Sequence, residues 1–139
     1  MIDKERVRRR LLDLERYSDR LGKMLPGSMA LYKKSDTILK SAVERNLQLI
    51  SDIEIELLVL LYKGMELSLA GDDSSVIERL AGKLSGAALS GVRNRRNLRN
   101  LLVHAYSDTS YDDEAFDQAS SLSDVRGLIK EVNRILEKQ

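Results

Sequence analysis

The apolar positions of this chain recur at helical spacing over most of its length. From Asp3 to Leu25, the residues Val7, Leu11, Leu14, Ser18 and Leu21 fall on one face, and Pro26-Gly27 ends the pattern, which predicts a first amphipathic helix. A short link through Met29 to Tyr32 leads to Ser35 or Asp36, either of which can cap a long helix. Its stripe runs through Ile38, Ala42, Val43, Leu47, Ile50, Ile53 and Leu57, and the pattern continues to about Leu69. The second half of that helix is apolar on nearly all sides, as expected of an element in the middle of a bundle or against another subunit. Gly71 to Ser75 reads as a turn, and Val76 to Gly82 as a short helix. Ser85 can cap a further helix, weakened at its start by Gly86 and Gly91. Asp112 or Asp113 opens a short helix around Phe116. Ser123 is placed to cap a last helix whose inner face carries Val125, Leu128, Ile129, Val132 and Leu136. The pattern predicts one all-α domain over residues 1–139, an up-and-down bundle of four main helices plus short ones.

Composition narrows the chemistry. There is no cysteine, so thiolate chemistry, disulfides and thiolate metal sites are excluded. With one histidine only carboxylates remain as metal ligands, and Asp108, Asp112, Asp113 and Glu114 read as a polar turn and a helix start; no metal site is expected. Gly82, Gly86 and Gly91 lack the spacing and the preceding strand of a phosphate loop, so no cofactor is expected. The longest apolar run, Leu57 to Tyr62, is far short of the roughly 20 residues that span a bilayer, and the start of the chain is charged; a cytoplasmic protein without membrane association is expected. A net charge of +1 gives no bulk attraction to nucleic acid, so any such attraction is local.

The candidate chemistry lies in RNLLVHAY, Arg99 to Tyr106. Projected on a helix, Leu98, Leu101, Leu102 and Ala105 form the core-facing stripe. Asn97, Asn100 and His104 lie on one flank, Arg99 and Tyr106 on the other, so Arg99 and His104 of one chain diverge by roughly 140°. Val103 faces outward, where a monomer would place a charge, and a twin helix would cover it. Across such a two-fold contact, Arg99 of one chain can face His104 of the other. The plainer role for Arg99 is an ion pair with an acid such as Glu44 or Glu56, and the plainer role for Arg93, Arg95 and Arg96 is a solvated face.

RNLLVHAY resembles the active-site signature of the HepT-like toxins of the HEPN superfamily. Two further blocks are similar to that family: AVERNLQ, Ala42 to Gln48, in the long helix, and LERY, Leu14 to Tyr17, in the first. The resemblance covers nearly the whole chain, and the departure from it is the run of arginines just before the motif. It implies a HEPN-like homodimer that acts as a metal-independent endoribonuclease on an RNA substrate, the toxin of a toxin–antitoxin pair. Arg99, Asn100 and His104 would be the catalytic residues, with Arg93, Arg95 and Arg96 as an RNA-binding rim. The antitoxin implied is a minimal nucleotidyltransferase that attaches AMP to the motif tyrosine, Tyr106. Glu44 and Arg45 can line the same cleft. The alternative is a non-catalytic helical subunit that binds nucleotide or RNA beside a nucleotidyltransferase without cutting it.

Overall fold

A computed structural model describes residues 1–65, 72–104 and 110–139. Among the described residues seven helices form the fold: α1 (Lys4–Met24), α2 (Met29–Lys34), α3 (Thr37–Gly64), α4 (Asp73–Arg79), α5 (Gly86–Val103), α6 (Asp112–Ser120) and α7 (Ser123–Glu137). Four are long, as the apolar periodicity predicts, and three are short.

Caps set the boundaries. Asp3 accepts a hydrogen bond from the Arg6 amide, Asp36 from Leu39 and Ser85 from Ala88, each satisfying an amide that the first turn leaves open. Ser28 does the same for Leu31, so the segment read as a link at Met29 to Tyr32 is a helix, α2. The described part of the long helix α3 runs to Gly64, with Met65 as its C-cap. A Cβ at Gly64 would lie 2.6 Å from the Cα of Ile2, so glycine is what lets the chain start pack against the end of α3. Residues 66–69 of the expected extension lie outside the described residues. Ser123 is the first residue of α7 rather than its cap; Leu122 takes that position and makes no side-chain bond.

The long helices alternate in direction. Lys4 Nζ donates to the carbonyl oxygen of Gln139 at 2.8 Å, bringing the start of α1 to the end of α7, while the Asn46 amide reaches Met24 Sδ from early in α3. Each long helix packs on the next, and α7 closes the ring on α1. The shared core is aliphatic: Val7, Leu14, Leu21, Ile50, Leu57, Leu61, Val92, Leu128 and Val132 are buried. Ile38, on the predicted stripe of α3, is 80% exposed because it sits in the first turn, ahead of the packed part of the helix. No described helix is long and apolar enough to cross a membrane.

Two helices are joined to α5 through charge as well. Arg95 is buried and forks onto Glu54 of α3, Nε to Oε1 and Nη2 to Oε2, both at 2.6 Å. Its Nη1 donates to both carboxylate oxygens of Asp124 on α7 at 2.9 Å. Gly91 makes room for this: a Cβ there would lie 2.0 Å from Asp124 Oδ2. Burial pushes the Glu54 carboxyl up against the opposing pull of Arg95.

Candidate active site

The motif helix α5 carries its chemistry in its last two turns, placed there by the core residues Val92 and Leu98 and by the Arg95 fork one turn before Arg99. Arg99 leaves the helix toward α3, where its Nε donates to Asp52 Oδ1 at 3.0 Å. Its Nη1 lies 3.4 Å from Asn100 Oδ1. These residues, with Arg96 and with Ser51 and Ile55 of α3, line a pocket of about 130 Å³ in the groove between α3 and α5. The ion pair is half-exposed on both sides, so its net worth is at most about 1 kcal/mol, small enough for an incoming anion to compete with Asp52 for the guanidinium.

His104 stands at the very end of α5 as its C-cap, with its backbone N–H donating to the Asn100 carbonyl at 3.2 Å. It is exposed and is not among the residues lining the pocket. The structure therefore gathers Arg96, Arg99 and Asn100 and sets His104 apart at the helix end, in keeping with the divergence that helical projection predicts within one chain. Tyr106 and Ala105 lie outside the described residues.

The remaining motif residues divide. Arg93 is exposed, whereas Arg95 is buried in the ion pairs with Glu54 and Asp124. Arg95 is thus not part of a surface rim: the helical turn that points Arg99 at the α3 edge points Arg95, four residues earlier, into the α3 packing face. Leu101, expected in the core, is 47% exposed, and Val103 is 39% exposed, as its outward position predicts. Glu44 and Arg45 do not line the pocket. Glu44 is half-buried, its carboxyl pushed up by burial and by Asp112, and Arg45 turns to Gln48. Arg99 pairs with neither Glu44 nor Glu56, since Glu56 is held by Arg10 and Arg6.

Asp52, Ser51 and Ile55 join the pocket from α3, outside the motif. The signal available was the run Asp52, Glu54, Glu56, three carboxylates alternating inside the most apolar helix, where an acid needs a cationic partner. Among the described residues no group of three or more acidic or histidine side chains is placed to hold a metal ion.

The family model for "Ribonuclease HepT-like" matches residues 14–132, from the LERY block of α1 to the middle of α7. The chain belongs to the HepT-like ribonuclease family. This HepT-like chain also shares its fold with solved structures of low sequence identity. One, described as the crystal structure of a toxin–antitoxin with AMP-PNP, superposes with a TM-score of 0.80 at 17% identity over 92% of this chain and 97% of that one. Another, a cytosolic protein of unknown function, YutE from Bacillus subtilis, gives 0.76 at 14% identity over 99% of this chain and 92% of that one. A comparison with curated proteins gave no match.

Proposed function

We propose that this HepT-like chain is the toxin of a toxin–antitoxin pair, an endoribonuclease that needs no metal and works as a homodimer with its active cleft at the α5 ends. The observation that carries the reading is the convergence of Arg99, Asn100 and Arg96 on one small pocket a single turn before His104, in a chain matched by the HepT-like ribonuclease model. The toxin assignment is supported by the fold shared with the chain of the toxin–antitoxin structure.

The chemistry asks for two proton transfers and a place for charge. In cleavage of RNA without metal, the ribose 2′-oxygen attacks the adjacent phosphorus and the bond to the 5′-oxygen breaks, leaving a cyclic phosphate and a free 5′-hydroxyl. One proton leaves the 2′-hydroxyl and one arrives on the departing oxygen. Imidazole is suited to either task near neutral pH, and the His104 side chains of two protomers supply both in one cleft. Arg99 of the facing protomer holds the scissile phosphate, its permanent forked charge matching the negative charge that builds in the transition state. Asn100 orients the phosphate or the imidazole, and Arg93 and Arg96 attract the flanking backbone. The exposed Val103 and Leu101 belong to the surface that the second protomer covers.

The partner in this reading is a nucleotidyltransferase antitoxin that attaches AMP to Tyr106. A bulky anion two residues from His104 would exclude RNA. The reading is tested by inducing the wild type, Arg99→Ala and His104→Ala in cells lacking the antitoxin and following growth and RNA integrity, with circular dichroism to confirm folding. Arrest and RNA breakdown with the wild type alone support it; equal behaviour of three folded proteins sinks it in favour of a non-catalytic binding subunit.

A further inference from the structure

The run of arginines just before the motif has an order of its own. From Arg93 to Leu101 the sequence reads Arg-Asn-Arg, Arg-Asn-Leu, Arg-Asn-Leu, three triplets that each open on an arginine and an asparagine. The helix that holds them, α5, contains four arginines and no acid, in a chain whose net charge is only +1.

A step of three residues advances a helix by about 4.5 Å and turns it back by about 60°. Each position of the triplet therefore traces an oblique row, inclined at about 45° to the axis, with neighbouring side chains rooted about 5–6 Å apart. The third row passes from the core outward: Arg95 and Leu98 are buried and Leu101 is 47% exposed. The first two rows lie on the open side. Arg93, Asn94 and Asn97 are exposed, and both rows run into the α3–α5 groove, where Arg96, Arg99 and Asn100 line the pocket. No described acid pairs with Arg93. Gln118 holds the backbone carbonyl of Asn94 at 3.1 Å, and the side-chain amides of Asn94 and Asn97 have no hydrogen bond among the described residues. Asparagine is a poor helix former because its amide competes for the backbone, so three of them in two helical turns are a cost that a merely solvated face would not carry.

We infer that the two rows form a ladder for single-stranded RNA, in which each arginine holds one phosphate and the asparagine after it reads the edge of a base. Arg99 takes the scissile phosphate and Arg96 and Arg93 the next two, so Asn97 and Asn94 set the sequence preference at two consecutive nucleotides beside the cut. A side-chain amide offers a donor and an acceptor side by side, which suits two-point contact with a base edge. Duplex RNA fits less well, because the narrow major groove of an A-form helix closes base edges to side chains, whereas a single strand can splay its bases onto them. The inference rests on the ribonuclease reading of α5 and adds the substrate class to it.

The test measures binding apart from cleavage by using 2′-O-methyl RNA, which lacks the attacking hydroxyl. A 12-nucleotide strand and the corresponding 12-pair duplex are compared by fluorescence anisotropy, and a pool randomised at six positions is bound, recovered and sequenced. The proteins are the wild type, Arg93→Ala, Asn94→Ala and Asn97→Ala, with Arg126→Ala at an exposed position of α7 as control, each checked for folding by circular dichroism. The expected result is a strand bound at least tenfold more tightly than the duplex and a recovered motif with two neighbouring preferred positions. Asn97→Ala should erase one of these and Asn94→Ala the other, each a loss of about fivefold or more in discrimination. Arg93→Ala should weaken the strand without changing the motif, and the control should match the wild type. Equal binding of strand and duplex, a pool recovered without base preference, or a preference that both asparagine variants keep would overturn the ladder. So would a polyglutamate peptide that displaces the strand at equal charge, since the face would then be a general anion-binding surface. The expected motif together with no cleavage of ordinary RNA by the wild type would uphold the ladder and count against the ribonuclease reading alone.

Discussion

Arg99 on α5 and Asp52 on α3 are joined through one bond, guanidinium Nε to carboxylate Oδ1 at 3.0 Å, which leaves the Nη edge of the guanidinium turned toward Asn100 and the pocket. In the free chain Asp52 thus holds the arginine that a phosphate would need. The carboxylate also brings a negative charge to the site where the RNA backbone is proposed to bind. Asp52→Asn keeps an oxygen acceptor and removes the charge, and it should tighten RNA binding by about fivefold, the effect of removing one unit charge some 4 Å away in a water-like surrounding. Stability should change by less than about 1 kcal/mol, because the pair is half-exposed. KM for a short RNA and a urea melt check the two halves.

The Arg95 fork is the opposite case, a buried pair whose breaking leaves a charge without a partner. Glu54→Gln or Arg95→Met should each cost about 3–5 kcal/mol, whereas Arg95→Met combined with Glu54→Leu should recover much of the loss, since the buried charges go together. Gly91→Ala should destabilise by about 1–3 kcal/mol by driving Asp124 from Arg95. Chemical denaturation of the four proteins separates these outcomes.

The four long helices, the buried face of α1 and the capping roles of Ser85 and Asp36 were legible in the sequence, because local periodicity and cap chemistry decide them. What was not legible depends on which residue meets which across helices. Arg93, Arg95, Arg96 and Arg99 look alike in a sequence; only the antiparallel packing of α3 on α5 sends Arg95 into Glu54 and Arg99 to Asp52. The same packing turns Leu101 outward although its spacing matches Leu98. Helix α2 was missed because Met29 to Tyr32 is too short for periodicity to register, although Ser28 three residues before Leu31 carried the capping signal.

Tyr32 gives a pH prediction. Its ring is buried against Phe116, centroids 5.8 Å apart, and its hydroxyl has no hydrogen-bond partner among the described residues. Burial, with Glu44 and Asp112 nearby, pushes the phenol up to about 12 from an ordinary 10.0. The folded pKa is raised, so the associated stability is complete below pH 10 and is lost as the pH rises toward 12, where the unfolded phenol ionises first. Tyr32→Phe should remove this part of the alkaline slope and, by deleting an unsatisfied buried hydroxyl, leave the protein at least as stable at neutral pH. Parallel melts from pH 8 to 11.5 check both.

Salt dependence tests the proposed rim. Arg93→Ala and Arg96→Ala should each lower the slope of log binding against log salt by about 0.7 for single-stranded RNA, the value for one phosphate contact. Any loss of binding in Arg95 variants should instead follow their loss of folded protein, because that side chain is buried. Filter binding across a salt series, with folded fraction measured alongside, distinguishes them.

Arg99 and His104 are proposed to carry RNA cleavage without a metal, and incubation of purified wild type, Arg99→Ala and His104→Ala with an end-labelled RNA in excess EDTA puts this to the test. The predicted result is cleavage by the wild type to products ending in a cyclic phosphate and a 5′-hydroxyl, and a loss of at least about 100-fold in each folded variant, in line with removal of an acid–base or charge-stabilising group. Wild-type cleavage abolished by EDTA, or folded variants that cut as fast as the wild type, would contradict it.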